Sequence, residues 1–305
     1  MTVSVCEYLG QRADQSAQIT PHQNIKVTKP SIQCPFKVGR CDKLAKGLQP
    51  VCSVRKSASV LWITCEHRLC ATTKNQKMVN GQRCIGAPLV PHQKAILKQI
   101  THEIYGENKN LSHIGVKREA PIPVEGGNSY HADYVMMDTT NPQGINFVLE
   151  MQGGGETTNT GALTRHIESW AASKTPTNGF LSTPITSVGT LETNAWRRQQ
   201  EQFLIKGNVS TQTGGRIVFA VGSLIYDYIH NRIERSNLRD LKGLGWTLAL
   251  VSFKEDEQAS KNAPVPLIID PERVLYTNYN TFIRTLTDQG APCPELFQGD
   301  FISII

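Results

Sequence analysis

Tyr130-His-Ala-Asp-Tyr-Val-Met-Met-Asp138 and Ile145-Asn-Phe-Val-Leu-Glu-Met-Gln152 stand on either side of Asn141-Pro-Gln-Gly144. The central four residues are turn chemistry and the flanking runs have strand composition, so the segment predicts an antiparallel β-hairpin. Side chains alternate along a strand. Ile145, Phe147, Leu149 and Met151 therefore share one face, and Asn146, Val148, Glu150 and Gln152 share the other. Asp133 lies on the partner strand, away from the turn, as Glu150 and Gln152 do, so the three side chains converge at the open end of the hairpin. Two carboxylates beside a polar neighbour suit a hard cation such as Mg²⁺, which takes oxygen ligands and keeps several waters. The alternative for the same residues is a polar sheet face turned to water, common in antiparallel sheets. Gly153-Gly-Gly155 follows at once and predicts permissive backbone where a ligand approaches closely.

Upstream, Pro91 opens a helical pattern that runs to Tyr105, with Ile96, Ile100 and Ile104 on one stripe and Gly106 ending it. Glu103 on this helix is a candidate further ligand, set against the simpler reading of a solvent-facing glutamate. Downstream, residues 164–170 and 191–198 read as amphipathic helices, and 216–222 and 246–253 as short buried strands. Segments 156–161 and 207–215, rich in Thr, Gly and Asn, read as loops. Interleaved helices and strands predict an α/β chain of the α+β kind, a mixed sheet covered by helices. Arg165, Arg197 and Arg198 suit either bases and phosphates or surface ion pairs.

The 305 residues are 39% hydrophobic and 19% charged, ordinary globular usage, and no apolar run approaches the ~20 residues of a membrane helix. The N-terminus lacks a charged segment followed by an apolar one, so secretion is not expected. Residues 1–100 carry 15 Lys and Arg against 4 Asp and Glu, whereas the remainder carries 17 against 22. A basic front predicts a surface facing a polyanion, the alternative being a solvated basic face. Seven of the eight cysteines precede residue 85. Kept reduced, such a cluster predicts a metal site rather than a disulfide framework. Cys34, Cys41, Cys52 and Cys65 are the expected ligands for iron or zinc, with Cys70, Cys84 and His67 as substitutes. Cys293, in the tail, is expected to be a free thiol. The expected division is a basic cysteine-rich metal-binding subdomain over 1–90 and a catalytic core over 91–305.

Cys34-Pro-Phe, Cys41-Asp-Lys, Pro50-Val-Cys-Ser-Val-Arg55, Trp62-Ile-Thr-Cys65, Arg68-Leu69, Asp133 and Glu150-Met-Gln152 together resemble the NotI-type restriction endonucleases. The resemblance implies a PD-(D/E)xK nuclease core in which Asp133 and Glu150 bind Mg²⁺ and Gln152 fills the motif's lysine position. It implies iron held by the four cysteines (zinc as the alternative) and a homodimer making double-strand cuts in a GC-rich palindrome, with CGGCCG as the expected site. A bacterial cytoplasm and a restriction-modification system follow from the same likeness. The chain departs from the pattern after Cys65, where Glu66 replaces an expected Pro, and this keeps Cys70 in play. Gln152 is neutral, able to orient a water but not to supply charge. The competing expectation is a non-catalytic metal-knuckle DNA-binding regulator, which leaves Asp133, Glu150 and Gln152 idle.

Overall fold

A computed structural model describes residues 2–15, 17–70, 78–79, 82–83, 89–122, 130–234, 238–259, 263–287, 295 and 298–304. The expectations for Cys84 and Cys293 lie outside the described residues. The first third contains β1 (Val3–Tyr8), β2 (Gln11–Arg12), α1 (Ile25–Thr28), α2 (Asp42–Ala45), β3 (Val51–Lys56), β4 (Val60–Ile63), β5 (Met78–Val79) and β6 (Gln82–Arg83). Next come α3 (Pro91–Tyr105), β7 (Ile114–Ile122), β8 (Tyr130–Asp138), β9 (Asn146–Gln152), α4 (Thr160–Ala172), α5 (Asn178–Leu181) and α6 (Glu192–Gln212). The chain continues through β10 (Arg216–Gly222), α7 (Ser223–Ile233), β11 (Leu248–Glu255), β12 (Leu267–Thr277) and α8 (Tyr279–Thr287).

Six strands form a mixed sheet in the order β12-β11-β10-β9-β8-β7. β7, β8 and β9 make an antiparallel meander; β10 lies parallel to both β9 and β11, and β12 closes the far edge antiparallel. The mixed sheet with helices is as the sequence predicts. β10 and β11 are interior strands and read as unbroken apolar runs because both of their faces are covered. Ile217, Phe219, Val221, Leu248 and Leu250 pack toward the core that includes α4, α6 and α7. Val218, Ala220, Ala249 and Val251 pack oppositely, with Ile96, Ile100 and Ile104 of α3. The stripe on α3 is thus buried as its spacing predicts, with Pro91 at the first turn and Gly106 ending the helix at φ 92°.

A second, four-stranded antiparallel sheet has the order β2-β1-β3-β4. Val3, Val5, Tyr8, Val51, Val54 and Trp62 from it enter the same core as Trp170, Phe203 and Phe219. The cysteine-bearing segment is therefore folded onto the larger sheet's helical layer.

One loop expectation fails. Residues 207–212 belong to α6 rather than to a connecting loop. Gly207 reads as a breaker in isolation, yet a Cβ there would lie 2.3 Å from the Tyr279 ring, so the glycine admits a close contact between α6 and α8. Tertiary packing overrides the local propensity.

Candidate active site

The β8–β9 hairpin forms with Tyr134 opposite Leu149, Val135 opposite Val148, Met136 opposite Phe147 and Met137 opposite Asn146. Val135 and Val148 pack with Val209 of α6, which identifies the face this helix covers. Extending the register one step sets Asp133 against Glu150 on that face. Asp133 Oδ2 accepts the Met151 amide at 2.9 Å, which fixes the carboxylate at the end of the strand pair. The convergence expected of Asp133 and Glu150 is present.

Glu150 is only 4% exposed. Burial and the neighbouring charge of Asp133 push its carboxyl up to about 8, against the opposing effect of Lys206. Lys206 Nζ donates to Glu150 Oε2 at 2.7 Å, and its own side chain is 3% exposed. Glu150 Oε1 is buried with no hydrogen-bond partner. A buried carboxylate oxygen without a donor is costly, and a cation is one group that satisfies it. Sequence reading missed Lys206. It sits 56 residues from Glu150, and no motif links the two positions.

Gln152 is half-buried, and its Nε2 donates to the Gly154 carbonyl. It lines a cleft of about 830 Å³ that also touches Cys34, Cys41 and Cys65. Asp133 and Glu150 do not line that cleft. The glycine run beyond Gln152 lines the same cleft, and it also permits close approach of the backbone itself. A Cβ at Gly154 would lie 2.2 Å from the Ile63 carbonyl oxygen, and one at Gly222 would lie 2.1 Å from that of Gly153. The Gly155 amide donates to Ile63 O at 2.9 Å. What approaches closely here is the chain itself, where β4 meets the end of β9. Glu103 also lies elsewhere: Tyr276 of β12 and Lys242 both donate to its Oε1, on the far side of the sheet order from β8.

Cys34, Cys41 and Cys52 share one small buried cluster with Ile25, Phe36 and Leu44, and Cys65 packs against it. Burial pushes the Cys34 thiol up to about 11 and those of Cys52 and Cys65 upward as well. No three of these sulfurs lie within 4.8 Å of one another, whereas a closed tetrahedral site with metal–sulfur bonds of about 2.3 Å holds them about 3.8 Å apart. Ligation at these four residues would require the sulfurs to draw inward and lose their protons. Cys70 belongs to the other core, its Sγ 3.2 Å from the Tyr134 hydroxyl. His67 is 2% exposed, and its Nε2 lies 2.8 Å from Asp42 Oδ2, so it is a buried residue rather than a polar surface one. Asp42, Glu66 and His67 bring ligand-type atoms within 4.8 Å of one another.

Part of the basic front is committed to ion pairs. Arg55 pairs with Glu255, Lys56 with Glu192, Lys26 with Glu168, and Arg12 with Asp14 and Glu255. Arg68 and Glu7 form a fully buried pair at 2.8 Å. Among the described residues of this segment, Lys29, Arg40, Lys46, Lys94 and Lys98 are exposed and make no ion pair. Arg198 pairs with Glu156 at the surface. No helix among the described residues is long and apolar enough to cross a membrane. No protein-family model matches the chain, and no curated protein matches it significantly.

Proposed function

We propose that this protein is a type II site-specific deoxyribonuclease with a PD-(D/E)xK core, acting as a homodimer on double-stranded DNA at a GC-rich palindrome. The observation that carries the reading is the Asp133–Glu150 pair on adjacent strands, with Glu150 Oε1 buried and unpartnered. The donor set is all oxygen and suits Mg²⁺. Asp133 and Glu150 would hold the ion; Gln152, at the solvent-facing end, would orient a water. Mg²⁺ held there would supply positive charge against the phosphate and would make a nearby water more acidic. In the hydrolysis, the water oxygen bonds to phosphorus and the P–O3′ bond breaks. The products are a 5′-phosphate and a 3′-hydroxyl, which takes up a proton. The four-cysteine cluster is proposed as a structural iron site, with zinc as the alternative.

One observation favours the non-catalytic DNA-binding regulator: a buried Lys206–Glu150 pair also reads as a structural ion pair. The two readings part in a cleavage assay on GC-rich plasmid with Mg²⁺ or EDTA. Discrete bands with Mg²⁺ alone are expected, and Asp133→Asn or Glu150→Gln should each lower cutting by about 100-fold or more while DNA binding persists. An intact plasmid in both tubes, with a shifted complex on DNA containing CGGCCG, selects the regulator.

A further inference from the structure

The nuclease reading leaves the strand position at 152 without a cation. Asp133 and Glu150 contribute two carboxylates, and the neighbouring place on β9 is held by neutral Gln152. The ammonium bonded to Glu150 comes from another element. Lys206 lies near the middle of α6, beside Gly207, where that helix packs against Tyr279 of α8. Its Nζ reaches Glu150 Oε2 at 2.7 Å, and both side chains are almost wholly enclosed. A long cationic side chain is rarely buried without a purpose that outweighs its desolvation. This one is buried against the carboxylate whose second oxygen remains open.

On the basis of that reading, we propose that Lys206 is a positioning residue for the acidic pair. Its ammonium, delivered from α6, stands in for the cation that position 152 of β9 lacks. It holds one oxygen of Glu150 and leaves the buried Oε1 without a hydrogen-bond donor, where a divalent ion would satisfy it. The consequence is a division of labour: charge comes from the helix, and Gln152 keeps only hydrogen-bonding capacity at the cleft. Such charge acts in an enclosed site, where it is weakly screened.

The test is relocation of the charge. Lys206→Met is expected to lower kcat about 100-fold at saturating Mg²⁺, with KM for DNA changed less than about threefold. Adding Gln152→Lys to Lys206→Met should recover at least about tenfold of that loss, because it returns an ammonium to the same carboxylates from the strand. A purely structural lysine would not be rescued this way. Lys206→Met cutting at the parental rate, or a double variant no better than the single one, overturns the proposal. If Lys206→Met does not fold, Lys206→Gln decides, read by the same loss of kcat and the same recovery with Gln152→Lys; a parental kcat, or no recovery, overturns the proposal. Failure of the parental protein to cut with Mg²⁺ sinks the nuclease reading instead. In that case, Mg²⁺ titration by calorimetry still tests the site, with binding expected to change between the parent and Lys206→Met. Identical isotherms count against Lys206.

Discussion

Glu150 shows how one residue's surroundings set its chemistry. In the metal-free protein its carboxyl is raised from 4.5 to about 8, by burial first and by Asp133 second. Between those values the folded chain holds a proton that the unfolded chain has released. The contribution from Glu150 is therefore fully present below 4.5 and declines as pH rises through about 8. In EDTA, the melting temperature should fall from about pH 5 to about pH 8.5, and by less in Glu150→Gln, as followed by circular dichroism. Parallel curves for the two proteins would contradict the assignment. Asp133 is held differently, by the Met151 amide on its Oδ2, so the two acids of the pair have distinct supports.

At the scale of elements, α6 is the piece on which the site depends. It covers β8 and β9 through Val209, carries Lys206 to Glu150, and rests on α8 at Gly207. Replacing Gly207 by Ala sets two effects against each other. Helix propensity gains about 1 kcal/mol, but a new Cβ must be placed 2.3 Å from the Tyr279 ring. That ring is 4% exposed, and its hydroxyl is bonded to the Leu204 carbonyl, so it has little freedom to yield. Overpacking of this kind costs about 1–3 kcal/mol and outweighs the gain in propensity. Gly207→Ala should therefore lower the urea midpoint, and an unchanged or raised midpoint would show that α8 adapts. Gly154 works similarly, letting the backbone of β4 approach the end of the strand bearing Glu150 and Gln152.

Across the whole molecule, ion pairs tie the first third to the remainder. Arg55 and Arg12 meet Glu255 of β11, and Lys56 meets Glu192 of α6, so these three cations bind the two parts together. A smaller set of cations then faces solvent. The cysteine cluster lies within the first third, and its proposed metal has a consequence for stability. Purified protein should contain about one iron or zinc per chain, and stripping it with a strong chelator should lower the melting temperature. Folded, active protein without stoichiometric metal would exclude the site. Cys34, Cys41, Cys52 and Cys65 already share a cluster, so binding requires local contraction rather than a new fold.

Short-range rules determined the elements. The period of two in β9, the turn at Asn141–Gly144 and the period near four in α3 depend only on residues close in sequence, and each has its expected counterpart. The pairing of Asp133 with Glu150 was legible for the same reason: a hairpin's turn and alternation set its register. The finding of Lys206 was not, because α6 reaches β9 only after intervening helices have packed. Nor could sequence show that the glycines admit β4, that Arg55 turns inward to Glu255, or that Gly207 lies inside a helix. Each depends on which surfaces meet. A buried charge, a missing Cβ or an ion pair is decided by the neighbour across the interface, and tertiary packing alone brings that neighbour into place.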